Sequence, residues 1–140
     1  MKTLYESLSS SLIDDSKYNI LVIVKPGFFD NIQYIIDQYI EKGWVLDRMR
    51  TKQLLLSEAK QLYSPHKGKE FYKDLCKYMS CGSSTALLFT KDVPFSDKMF
   101  EETNSIKDKI RKEIGKDEMK NAIHSSDSLE RLPIERGIYF

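Results

Sequence analysis

The stretch Asn19-Ile-Leu-Val-Ile-Val-Lys25, closed by Pro26-Gly27, decides how the rest of the chain is read. Consecutive aliphatics from Ile20 to Val24, mostly β-branched and ended by Pro-Gly, predict a central strand buried on both faces. The period then changes. Ile32, Ile35, Ile36, Tyr39 and Ile40 fall at i, i+3, i+4, i+7 and i+8, one apolar stripe on a helix. Asp30 is the expected N-cap of that helix and Gly43 its left-handed stop. Trp44 to Lys52 reads as a second strand, and its charges place one face or one edge in water.

Downstream, Ser57 is expected to cap a short helix through Leu62, and Pro65-His66-Lys67-Gly68 marks a loop. Phe71, Tyr72, Leu75, Tyr78 and Met79 give helical spacing over 69–79, ended by Gly82; Thr85 to Thr90 is a third strand. A short helix is expected from Pro94 to Thr103, then a basic, turn-like segment from Ser105 to Lys116. Met119 to His124 is strand-like, and Ser128 to Arg131 forms a last helical turn before Pro133. Helices alternating with strands first suggest a parallel sheet. The polar second strand and the count of four favour instead an α+β, split βαβ (ferredoxin-like) fold. In that fold a mostly antiparallel four-stranded sheet carries helices on one face. Residues 18–140 then form one domain behind a Ser-rich, loosely ordered leader, 1–17.

Composition narrows the function classes. With 41% apolar and 31% charged residues in 140, the chain is that of a single folded domain, not a disordered tail. Lys plus Arg total 22 against 21 Asp plus Glu, so no basic excess supports binding to a nucleic-acid backbone. A small basic pocket for a single nucleotide remains compatible with that balance. No segment approaches the roughly 20 apolar residues of a membrane helix, so no membrane partner and a cytoplasmic location are expected. Cys76 and Cys81 read as two thiols, a disulfide between them being the alternative. No His or Cys spacing suggests zinc, and the scattered glycines draw neither a Walker loop nor a dinucleotide fingerprint.

Of the two histidines, His66 reads as a solvated loop residue. His124 lies in Asn121-Ala-Ile-His124-Ser-Ser126-Asp-Ser128, where a strand-like piece meets a cluster of small polar residues. Alone, that is a weak signal. In order along the chain come Ile-Val-Lys25-Pro26, Phe71-Tyr-Lys-Asp-Leu-Cys-Lys-Tyr-Met79, Glu102-Thr103-Asn104, the His124 stretch, and the closing Glu135-Arg-Gly-Ile-Tyr-Phe140. Together they resemble the nucleoside diphosphate kinase family over nearly the whole chain from Tyr18.

The resemblance implies transfer of the γ-phosphoryl group from nucleoside triphosphates such as ATP and GTP to nucleoside diphosphates, in a ping-pong reaction that balances nucleotide pools. His124 matches the residue phosphorylated in passing. A free imidazole, with a pKa near ~6.5, is largely neutral at cytosolic pH and offers one lone pair. Glu135 matches the carboxylate that fixes the opposite nitrogen, and Ser126 the hydroxyl that supports it. Read without the resemblance, Glu135 is equally a surface carboxylate beside Arg136. Lys25 and Tyr63 match groups near the transferred phosphate and ribose, Thr103 and Arg111 groups that hold the diphosphate, and Asn121 the amide on the ribose 3′-hydroxyl. Phe71 matches the aromatic on which the base stacks, a contact that tolerates every base. Mg²⁺ is implied, bound through nucleotide phosphates rather than by protein ligands, and so is a homo-oligomer.

The chain departs from the family pattern at Gly27, at Ser125, which follows the histidine where the family has glycine, and at Asp97, which aligns with a phosphate-binding arginine. Lys98 beside it is the candidate replacement. The segment from Thr103 to Arg111 is also shorter than the family's loop, an expectation against the usual hexamer. The alternative function is a catalytically weak relative that binds nucleotides as a regulatory or interaction module.

Overall fold

The computed structural model describes residues 18–93, 97–126 and 130–140, without the side chain of Asp97. The expected leader, 1–17, lies outside the described residues. Strands β1 (Tyr18–Val24), β2 (Val45–Lys52), β3 (Ser84–Lys91) and β4 (Ile123–Ser125) form one sheet in the order β2-β3-β1-β4. Each described pairing is antiparallel. Helices α1 (Ile32–Ile40), α2 (Leu56–Leu62), α3 (Tyr72–Ser80), α4 (Asp97–Ile114) and α5 (Arg131–Tyr139) connect or follow the strands. This is the expected α+β, ferredoxin-like arrangement.

One detail differs: the helices cover both faces of the sheet. Ile20, Val22 and Val24 of β1 pack with Ile35 and Tyr39 of α1 and Ile106 and Ile110 of α4. The alternate residues, Leu21 and Ile23, pack with Ala59 and Leu62 of α2, Leu75 and Met79 of α3, and Leu132 and Ile138 of α5. A strand buried at every position requires this, because successive side chains point to opposite faces. Strand β2 is the polar edge strand.

The largest correction concerns Ser105 to Lys116. These residues are not a turn-like segment; most of them continue a single helix, α4, that starts before Thr103. Met99, Thr103, Ile106, Ile110 and Ile114 carry one apolar stripe along it, and Lys98, Lys109 and Lys112 are exposed. The span between Thr103 and Arg111, expected as a shortened loop, is helical throughout. Helix α5 likewise runs through Pro133 instead of stopping before it. A proline in the first turn costs no hydrogen bond, because the N–H groups there have no partner within the helix.

Smaller differences sit at helix starts. Asp30 lies inside a 3₁₀ turn, Phe29–Asn31, and does not cap α1. Helix α2 starts one residue before Ser57, and Glu58 reaches back to accept the Leu55 N–H at 2.9 Å. Gly43 takes φ +90° as expected of a stop. Residues 117–120 form a turn and not a strand, because Asp117 Oδ1 accepts the N–H groups of Met119 and Lys120. Both cysteines are free thiols.

Candidate active site

The register of β4 on β1 builds the centre of the site. His124 pairs with Ile23, and directly opposed residues share a face. Ile23 faces the layer of α2, α3 and α5, so His124 does too. Lys25, two residues on, projects the same way, and its N–H still bonds to Ala122 O at 2.9 Å. Ala122 holds φ +80°, a left-handed conformation that a side chain disfavours, at the point where the chain turns into β4. Gly115 serves the same turn. A Cβ there would lie 2.4 Å from Arg111 O and 3.2 Å from Asn121 Cα.

Around His124 opens a cavity of about 720 Å³. Lys25, Tyr63, Phe71, Arg111, Asn121 and His124 all line it, so six of the expected site residues meet in one place. Behind the imidazole lies Glu135, 2% exposed, which accepts a hydrogen bond from His124 Nε2. A carboxylate there keeps the proton on Nε2 and leaves the lone pair on Nδ1. The Tyr63 ring meets His124 edge-on at 5.1 Å between centroids. Its phenol is buried, which holds its pKa well above the ordinary value and keeps it neutral.

The cations are placed by burial and by backbone contacts. Lys25 donates to Met119 O at 3.1 Å and is 4% exposed. Burial, with a smaller push from Arg111 and an opposing pull from Asp117, lowers its pKa to about 7. Arg111 reaches β4, donating to Ile123 O from Nε at 3.2 Å and from Nη2 at 2.8 Å. Phe71 is 45% exposed at the cavity, its ring 5.5 Å from that of His66.

Two expected residues are not brought in. Thr103 is buried against the sheet, its hydroxyl donating to Phe100 O at 3.1 Å, and does not line the cavity. On the continuous helix it stands eight residues, a rise of about 12 Å, before Arg111. Ser126 Oγ is buried without a hydrogen-bond partner among the described residues, so it does not support Glu135. Of the departures, Ser125 is an ordinary strand residue paired with Val22, and Gly27 takes φ +91° in the turn after Lys25. The Asp97 side chain lies outside the described residues. Lys98 is exposed and does not line the cavity.

Residues that the sequence reading missed include His66 and Lys107, both lining the cavity, and Arg131 beside Glu135. The i, i+4 spacings Lys107–Arg111 and Arg131–Glu135 are the signals that would have found two of them.

An imidazole backed by a carboxylate, in a cavity lined by Lys25, Lys107 and Arg111 with Phe71 exposed at it, suits transfer of an anionic group from a ligand bearing a ring. The family model for nucleoside diphosphate kinase matches residues 19–140. The chain belongs to the nucleoside diphosphate kinase family. It is 32% identical over 126 residues to the enzyme of that name from Methanococcus maripaludis, covering 85% of this chain and 95% of the relative. For Persephonella marina the identity is 32% over 127 residues, covering 86% and 91%. The orthorhombic crystal form of the Aquifex aeolicus nucleoside diphosphate kinase superposes with a TM-score of 0.73. At 24% identity over 89% of this chain and 95% of that one, it shows the same fold. As a nucleoside diphosphate kinase the chain is an enzyme that binds nucleotides and transfers their γ-phosphoryl group. The family works through a phosphohistidine and uses a divalent metal.

Proposed function

We propose that His124 carries the phosphoryl group, through Nδ1, between a nucleoside triphosphate and a nucleoside diphosphate in this cavity. The observation that supports it is the buried Glu135 on His124 Nε2. The Nδ1 lone pair attacks the γ-phosphorus, the bond to the bridging oxygen breaks, and the diphosphate leaves with that electron pair. The Nε2 proton stays shared with Glu135 throughout. A second diphosphate then attacks the same phosphorus, the N–P bond breaks, and the lone pair returns to Nδ1.

Lys25 and Arg111 are the phosphate-facing cations in this reading, and Lys107 joins them from one helical turn before Arg111. Lys107, not Lys98, then takes the part of the arginine that the family resemblance seeks at position 97. Phe71 and Leu75 offer an apolar platform for the base. Tyr63 Oη and Asn121 Oδ1 are buried at the cavity with no hydrogen-bond partner among the described residues, and ribose hydroxyls would satisfy them.

Mg²⁺ is the metal of this reading. Among the described residues no three His, Cys, Asp or Glu side chains converge into a cage, but Asp117 and Glu118 line the cavity. Those two carboxylates would hold such an ion from the protein side, and it would offset phosphate charge there. The reading also includes a homo-oligomer, supported by the exposed Val45 and Met49 on edge strand β2, and a cytoplasmic location. Among the described residues no helix is long and apolar enough to cross a membrane.

The experiment is a two-step transfer. Protein incubated with γ-labelled ATP and freed of nucleotide is expected to keep its label, then pass it to added GDP with no ATP present. A protein that binds ADP yet acquires no label would be the nucleotide-binding module instead.

A further inference from the structure

Glu135 has two carboxylate oxygens, and the structure gives each a different neighbour. Oε1 accepts from His124 Nε2. Oε2 faces Arg131 Nε at 3.7 Å, an ion pair between residues one turn apart on α5. The same guanidinium donates from Nη2 to Gln61 O at 3.1 Å and Leu62 O at 3.0 Å, and from Nη1 to Ser64 Oγ at 3.4 Å. Those two carbonyls end α2, and a cation satisfies them well. The next residue is Tyr63, whose ring lies against His124. One side chain therefore ties the end of α2 to the carboxylate behind the nucleophile. Ser126, which the family resemblance assigns to that support, makes no hydrogen bond through its buried hydroxyl among the described residues.

We propose that Arg131 is a positioning residue for phosphoryl transfer, one that steadies Glu135 against His124 and tempers the pull of the carboxylate on the imidazole. The inference rests on the reading of His124 as the phosphoryl carrier. A carboxylate stabilises a positively charged imidazole ring; a guanidinium on its far oxygen weakens that effect. The phosphorylated ring, which keeps its Nε2 proton and carries positive charge, is then held less tightly and gives up its phosphoryl group sooner.

The test compares Arg131→Gln and Arg131→Lys with the wild type, reading the rate of phosphoenzyme discharge to GDP beside the affinity for GDP. In Arg131→Gln discharge is expected to slow about 3–10-fold with GDP affinity unchanged. Arg131→Lys keeps the charge and is expected to restore most of that rate. If the two variants slow discharge equally, or lose GDP affinity along with it, Arg131 is only a helix tether and the proposal is overturned. Should Arg131→Gln fail to fold, the lysine variant still decides: discharge slowed about 3-fold or more despite the retained charge overturns the charge argument. A wild-type protein that forms no phosphoenzyme overturns the His124 reading itself, which is a distinct result.

Discussion

Replacing His124 by alanine is expected to lower phosphoryl exchange by on the order of 10⁴-fold or more and to remove the covalent label altogether. The substitution takes away the nucleophile, and what remains is charge stabilisation and positioning, which act on a direct transfer between two nucleotides. The expected loss is a rise of roughly 5 kcal/mol or more in the barrier. Nucleotide binding is expected to survive, because Phe71, Lys107 and Arg111 sit on other elements of the cavity. Exchange assays and ADP titrations on the same preparation separate the two effects. Loss of binding together with exchange would mean that His124 shapes the cavity instead of reacting in it.

Lys25→Met is expected to stabilise the fold while disabling the enzyme. The ammonium sits 4% exposed with one carbonyl partner, and burial depresses its pKa to about 7 from an ordinary 10.5. Below pH 7 the group is charged in both folded and unfolded chains, so the cost of burying it is present in full. Between about 7 and 10.5 the unfolded chain holds more protons than the folded one, and stability rises with pH. A methionine of similar length removes the cost. The gain in unfolding free energy is expected to be about 1–3 kcal/mol below pH 7, fading as pH approaches 10.5. Exchange, in contrast, should fall about 10²-fold, the usual scale for losing one cation at a site of developing charge. Denaturation at pH 6 and pH 10, with exchange rates alongside, checks both. Destabilisation at pH 6 would show that the Met119 contact is worth more than burial costs.

The fold was legible where a single pattern dominated. The run from Ile20 to Val24 gave the central strand, and the 3.6-residue stripe from Ile32 to Ile40 the helix after it. The same run also implied cover on both faces, which the expectation of helices on one face overlooked. Helix α4 was hidden by composition, because the charges from Lys107 to Lys112 drew attention from Ile106 just before them and Ile110 among them. That error spread to the site. A continuous helix carries Thr103 into the core and lines up Lys107 with Arg111, neither of which a loop would do.

The pairing of His124 with Glu135 was legible only through resemblance, since eleven positions separate them and no local period links them. What joins them is tertiary: β4 docks on β1 in a register that faces His124 toward α5. Arg131 was invisible for a related reason. A helix expected to stop before Pro133 leaves no i, i+4 relation between Arg131 and Glu135, and the observed helix creates it.

The most direct test of the central claim is to identify the phosphorylated atom. Protein treated with ATP and freed of nucleotide would be studied by phosphorus NMR with proton–phosphorus correlation, which distinguishes the two imidazole nitrogens. With Glu135 holding the proton on Nε2, one acid-labile, base-stable species is expected, on Nδ1 of His124. Phosphate on Nε2, on another residue, or no covalent species in a protein that still binds nucleotide would contradict the account.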